Sequence, residues 1–171
     1  MASLPSVGLN RAGLVAIALG SNLGDRRAHL GSAVERLAAF LVDLRVSDII
    51  ETDPLGVTEP QPPYLNAAVV GRTTLPARSV LDRLLAIEAE GGRVRLGWRS
   101  PRTLDLDLIL HGQSVIDEDG LQVPHPRFRE RAFVLEPLAQ IAPEMRDPVS
   151  GATMGELLAA LRSRQEPSRQ P

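Results

Sequence analysis

The chain sets short apolar runs against amphipathic stretches, and the period of each stretch predicts its element. Residues 14–19 (LVAIAL) are a continuous apolar run closed by Gly20, the pattern of a buried strand. Ser21, Asn22 and Asp25 then supply helix-start chemistry, and Leu30, Val34, Leu37 and Leu41 recur at helical spacing through about Phe40. Residues 42–51 read as a second strand, with Leu44, Val46 and Ile50 on one face and Asp43, Arg45 and Ser47 on the other. Residues 64–74 (YLNAAVVGRTT) read as a third strand. Pro76 suits the first turn of a second helix, which carries Val80, Leu81, Leu84 and Leu85 and ends at Gly91-Gly92. Residues 103–110 read as a fourth strand. Side chains alternate along it, so Leu104, Leu106, Leu108 and Leu110 share one face and Asp105, Asp107, Ile109 and His111 the other.

This order is βαββαβ, the split βαβ pattern of ferredoxin-like folds. It predicts an α+β sandwich: an antiparallel sheet with both helices on one face, leaving Asp105 and Asp107 on the open face. Residues 114–123 predict a small hairpin around Asp119-Gly120, a helix is expected within residues 127–142, and residues 154–161 predict a short terminal one. The whole is a single domain over residues 14–161 with a C-terminal helical extension. Residues 1–13 and 162–171 are expected to be flexible tails.

Two connections stay open between structural and functional readings. The turn GSNLGD (residues 20–25) fits a capped strand-to-helix turn, yet Gly20 also permits close approach of a ligand to the backbone. Residues 53–63 hold four prolines and Gly56, a restrained surface loop that is either a plain connection or a binding lid.

Composition narrows the chemistry. A chain of 171 residues with net charge −2 is long enough for one domain with its own core and signals no bulk polyanion partner. The absence of cysteine excludes disulfides, thiolate catalysis and Cys-ligated metals. All 19 basic residues are arginine, so mechanisms that need a lysine, such as the P-loop, the protein kinases and Schiff bases, are excluded. Phosphate must be held by arginine, backbone amides or metal. Residues 1–13 lack the charged start and long apolar core of a signal peptide, so none is expected there, and no apolar run approaches the roughly 20 residues of a membrane span. A cytoplasmic protein is expected, with neither membrane nor nucleic acid as partner.

The densest candidate chemistry lies in residues 93–110 (RVRLGWRSPRTLDLDLIL). Residues 93–102 carry four arginines and no acid. Asp105 and Asp107 follow, about 6.6–7 Å apart at strand rise, close enough for both to reach a two-metal centre. Guanidinium groups suit phosphate and paired carboxylates suit Mg²⁺, so the stretch suggests a polyphosphate held between them. Ion pairing of the acids with Arg99 and Arg102 is the alternative. Residues 123–133 (VPHPRFRERAF) form a second basic cluster. There His125 is a phosphate donor, an acid–base group or simply a loop histidine, and Arg127 and Arg131 fall at i, i+4 if the helix starts at Arg127. Glu88 sits near a helix C-terminus, where an exposed acid is the ordinary explanation. Of the five aromatic residues, Tyr64, Trp98 and Phe133 lie in or beside these stretches, as a flat heterocycle would require.

The motif SPRTLDLDLIL followed by VPHPRFRERAF resembles the 6-hydroxymethyl-7,8-dihydropterin pyrophosphokinase family of folate biosynthesis. ALGSNLGD, ETDPLG, YLNAAV and the run from Ile87 to Arg95 match in the same order, so the likeness covers roughly residues 14–161. The resemblance implies transfer of the β,γ-diphosphate of ATP to the hydroxymethyl oxygen of the pterin, with release of AMP. It implies two Mg²⁺ ions on Asp105 and Asp107, which with Arg93 and Arg102 form the catalytic set. It assigns Glu88, Arg93, Arg95, Arg99, Arg102, His125 and Arg131 to ATP. It assigns Gly20, Thr52, Leu55, Tyr64, Asn66, Trp98 and Phe133 to the pterin, with Tyr64 and Phe133 sandwiching the ring. The proline-rich and arginine-rich loops would be mobile flaps, and the enzyme a monomer.

The chain departs from the family pattern at Asp53, where a proline is frequent, and at Trp98-Arg99, where the order is reversed. It departs also at Leu85, Gly120 and Gln122, in place of a Gln, an Arg and a Thr. Two other classes use parts of the same features. A two-metal nucleotidyl or phosphoryl transferase would use the same acids, and a ferredoxin-like RNA-binding module the same sheet, although no strand carries the aromatic pair such modules stack on bases.

Overall fold

A computed structural model describes residues 13–54, 60–92 and 103–165. Strand β1 (Gly13–Ser21) leads into helix α1 (Arg26–Leu37), then β2 (Val42–Val46), β3 (Ile50–Thr52), β4 (Tyr64–Thr73), helix α2 (Ala77–Glu90) and β5 (Asp105–His111). A hairpin, β6 (Ile116–Glu118) and β7 (Leu121–Val123), follows. A 3₁₀ turn (Phe128–Glu130) and helices α3 (Ala132–Ile141) and α4 (Met154–Gln165) complete the order. The main sheet has the order β2-β4-β1-β5, with β3 beside β4, and every pairing is antiparallel. The ferredoxin-like α+β expectation therefore holds.

Helices α1 and α2 lie on one face, where Leu30, Leu37, Val80 and Leu84 pack on Val15, Ile17, Leu19 and Val69. The opposite face is not open, as the sequence led us to expect. α3 and α4 cover one end of it, burying Val134, Leu135, Leu138 and Leu161 against Ala16, Ala18, Ala68 and Val70. The small residues on that face of β1 and β4 let the second helical layer approach the sheet closely. Asp105 and Asp107 lie on the part left uncovered.

Asp25 caps α1 by accepting the Ala28 N–H at 3.0 Å; Ser21 and Asn22 are fully buried and do not cap it. Gly91 caps α2, and Gly92 takes φ +79°, a left-handed turn that glycine adopts without strain.

The predicted 42–51 strand is interrupted. Asp43 takes φ 53° and the register shifts between Val42 and Arg45, so the alternation fails: Val42 and Val46 are exposed and Ser47 is buried. Ser47 instead joins the ladder, its N–H donating to Ala68 O and its hydroxyl accepting the Ala68 N–H. A second shift falls on β5, where Ala16 pairs Leu110 and Ile17 pairs Leu108, leaving Ile109 as the extra residue. Leu110 consequently joins the core under α3, not the one under α1 and α2. On α2, Leu85 is exposed and Ile87 takes its expected place inside. Helix α4 runs to Gln165, past the end predicted at residue 161, and Arg162 pairs with Glu136 of α3.

Candidate active site

Two cavities meet on β5. The first, about 540 Å³, opens where the ends of β1, β4 and β5 converge, and the N-terminal turn of α3 closes one side. The second, about 580 Å³, lies across the edge of β5 beneath the β6–β7 hairpin. Asp107 lines both.

In the first cavity, strand register places the polar groups. Gly20 pairs with Asn66 on one side and Asp105 on the other, so these three residues stand in one row across the sheet. A Cβ at Gly20 would lie 3.3 Å from Asn66 Oδ1, and so glycine keeps this row open. Asn66 is buried and donates through Nδ2 to Thr52 Oγ1 at 2.7 Å, which fixes the amide plane and turns Oδ1 toward Gly20. Tyr64 and Phe133 line the same cavity, from β4 and from the first turn of α3. Of the pterin assignments, Gly20, Thr52, Tyr64, Asn66 and Phe133 are therefore brought together. Leu55 and Trp98 lie outside the described residues, as do Arg93, Arg95, Arg99 and Arg102.

The segment from β7 to α3 brings cationic and imidazole groups to Asp107. Arg131 Nη1 lies 3.5 Å from Asp107 Oδ2, and its guanidinium stands over the Phe133 ring, 5.7 Å from the centroid. His125 Nε2 lies 3.9 Å from the same oxygen. Burial first, and then the positive charge of Arg131, lower the His125 pKa from 6.5 to about 4. The ring is therefore neutral near pH 7. Its Nδ1 accepts the Arg127 N–H at 3.1 Å, which leaves the proton on Nε2, on the side of Asp107. The helix starts at Ala132 and not at Arg127, so Arg127 and Arg131 flank the 3₁₀ turn, yet both line the first cavity.

Glu88 is not exposed. It is 2% accessible, and its Oε1 accepts the backbone N–H of Leu106 at 2.7 Å, between the two aspartates.

The two acids are half-buried on one face of β5, an arrangement of hard oxygen donors. Among the described residues no group of three or more acidic, histidine or cysteine side chains is placed to hold a metal. Two carboxylates suit Mg²⁺, which completes its shell with water and phosphate oxygens.

The site also includes residues that sequence reasoning did not assign. Asp53, Pro54 and Glu130 line the first cavity beside predicted residues, and Gln165 reaches it from the end of α4. Proximity in sequence to Thr52 and Arg131 signals the first three; nothing in the sequence points to Gln165.

The turn at residues 20–25 and the start of α1 also anchor the end of the proline-rich loop. Buried Asn22 donates to Gln61 Oε1 and Pro62 O, each at 3.3 Å, and Arg26 donates to Pro63 O at 2.6 Å while pairing with Glu51. Within the described residues this turn holds the end of the loop that delivers Tyr64.

Residues 16–143 match the family model described as 7,8-dihydro-6-hydroxymethylpterin-pyrophosphokinase (HPPK). The chain is 45% identical over 150 residues to the 2-amino-4-hydroxy-6-hydroxymethyldihydropteridine pyrophosphokinase of Pseudomonas aeruginosa, covering 85% of this chain and 90% of that one. It is 44% identical over 138 residues to the enzyme of the same name from Bacillus subtilis, covering 80% and 82%. The wild-type HPPK-DHPS structure of Plasmodium falciparum superposes with a TM-score of 0.72 at 14% identity, covering 90% of this chain and 45% of that one, a likeness of fold. With the six motifs in order and the family match spanning the sheet, both helices and the segment from His125 to Phe133, the chain belongs to the 7,8-dihydro-6-hydroxymethylpterin-pyrophosphokinase family.

Proposed function

We propose that the first cavity takes the pterin and the second takes ATP, with the diphosphate crossing at Asp107. The enzyme is a pyrophosphokinase of folate biosynthesis: it moves the β,γ-diphosphate of ATP to the hydroxymethyl group of 6-hydroxymethyl-7,8-dihydropterin, giving the pterin diphosphate and AMP. The observation that carries the placement is that both cavities are lined by the same carboxylate, Asp107.

The pterin ring lies between Tyr64 and Phe133, where aromatic faces suit a flat heterocycle. Asn66 Oδ1, fixed by the bond from Nδ2 to Thr52, accepts from the donor edge of the ring. Gly20 leaves room for the ring beside Asp105. ATP runs from the hairpin, along Leu106 and Leu108, toward His125 and Arg131. The neutral His125 donates through Nε2–H to a phosphate oxygen. Arg131 pairs with the charge that develops as the hydroxymethyl oxygen attacks Pβ in line and the Pα–O–Pβ bridge breaks. Asp105 and Asp107 hold Mg²⁺, two ions in this reading, which when bound lowers the pKa of the nucleophile and offsets phosphate charge. The family resemblance assigns Arg93, Arg95, Arg99 and Arg102 to the phosphates as well, and Leu55 and Trp98 to the pterin. Glu88 acts on the ATP site through the backbone of β5. A monomer in the cytoplasm suits these small-molecule substrates; among the described residues no helix is long and apolar enough to cross a membrane.

Incubation with ATP, the hydroxymethyl pterin and Mg²⁺, with nucleotides resolved by chromatography, tests the reaction. AMP and pterin diphosphate in equal amounts are expected. ADP would mean phosphoryl transfer and free pyrophosphate nucleotidyl transfer, and either would overturn the reading.

A further inference from the structure

Residues 127–131 carry three arginines at alternate positions, and the structure sends them in two directions. Arg127 and Arg131 line the first cavity. Arg129 turns the other way, onto Asp147 in the connection between α3 and α4, with Nε and Nη2 each 2.7 Å from a different carboxylate oxygen. Asp147 is fully buried, and it also accepts the Ser150 hydroxyl and the N–H groups of Val149 and Ser150. The Arg129 guanidinium lies over the ring of Phe128, 4.6 Å from the centroid, and Phe128 is itself fully buried.

A three-residue 3₁₀ turn has little stability of its own. Its hydrogen bonds, Glu130 N–H to Arg127 O and Arg131 N–H to Phe128 O, are both 3.2 Å long. Two buried contacts hold it in place: the Phe128 side chain in the core, and the bidentate pair in its middle. A buried ion pair adds little net stability over an apolar pair of the same volume, because both charges must be desolvated. Its planar, two-point geometry does set a direction. That direction is inherited by both neighbours: Arg131 lies two residues on, and the Phe128 N–H bonds back to His125 O. Both side chains face Asp107.

We propose that the Arg129–Asp147 pair is a positioning device for the reaction, holding Arg131 against the diphosphate at Asp107. The proposal rests on the placement of Arg131 in the phosphate site. Its signature is coupling: the pair matters to turnover only while Arg131 is present.

The test is a double-mutant cycle in kcat/KM on the full chain, with Asp147→Asn and Arg131→Gln singly and together. Thermal unfolding of each variant is measured alongside. In the wild-type background Asp147→Asn is expected to lower kcat/KM about 10- to 100-fold, the scale on which small misplacements of reacting groups act. In the Arg131→Gln background the same change is expected to cost less than about threefold, while the fall in Tm is the same in both. An equal loss of turnover in both backgrounds, or none in the wild type, overturns the positioning role. If Arg131→Gln alone leaves turnover intact, the placement of Arg131 fails instead. Should Asp147→Asn not fold, Arg129→Lys keeps the charge but loses the fork, and the same cycle with Arg131→Gln decides between the same outcomes.

Discussion

Glu88 Oε1 accepts the backbone N–H of Leu106 at 2.7 Å, so α2 holds β5 by the residue between Asp105 and Asp107. The acid is buried and its acceptor replaces the partner that an edge strand lacks. Glu88→Ala should leave that N–H unsatisfied and cost about 1–3 kcal/mol, while Glu88→Gln retains an acceptor of the same length and should stay close to wild type in stability. Chemical denaturation of both variants checks this. Equal destabilisation would show that the acceptor is not what counts.

Asp107 faces both cavities, and Asn at this position keeps the volume while losing the charge. Asp107→Asn should retain the fold and lower kcat by roughly 10²–10³-fold or more, the scale on which loss of one electrostatic contact acts in a transition state. Steady-state kinetics at saturating Mg²⁺, beside the circular dichroism of the same sample, measures it. Near-normal turnover would remove the metal assignment.

At Gly20 the added methyl group of Ala would meet Asn66 Oδ1 at 3.3 Å. The amide must yield by a few tenths of an ångström, and the hydrogen bond proposed between it and the pterin edge should weaken. Gly20→Ala should therefore weaken pterin binding by about tenfold, the equivalent of one modest hydrogen bond, with ATP binding unchanged. Calorimetric titration of each ligand separates the two. An equal loss for both ligands would point to a general distortion of the sheet.

Burial raises the Asp147 carboxyl, but hydrogen bonds from Arg129, Ser150 and Val149 outweigh it and lower the pKa from 3.8 to about 2. The native state thus favours the ionised form. Its contribution, roughly 2 kcal/mol, is fully present above the unfolded value and is lost as pH falls from about 4 toward 2. Urea unfolding between pH 5 and pH 2 should show this loss in the wild type and a flatter profile in Asp147→Asn. Identical slopes would mean that the ion pair does not depress the carboxyl.

The order of elements and the face of the two aspartates were legible in the chain itself, because both rest on local periodicity. Period two along β5 is enough to put Asp105 and Asp107 together against Leu104 and Leu106. Period 3.6 on α1, and the apolar run of β1, require a helix packed on a sheet. Asp119-Gly120 is likewise a local turn signal, and Gly120 takes φ +68° in the β6–β7 hairpin.

Periodicity says which way a side chain points but not what it will meet. The exposure of Val46, the crossing of Leu110 to the second core and the burial of Glu88 each depend on a bulge or on an unpaired N–H in another strand. The same holds for Gln165 at the first cavity and for Asp147 beneath Arg129, which lie 31 or more residues, and 18 residues, from the groups they join. Such contacts follow from how the layers close over one another, and only the tertiary structure decides them. The chain alone thus specified a carboxylate platform on a strand. The packing of α2 behind it and of the α3–α4 connection beside it decided how that platform is held.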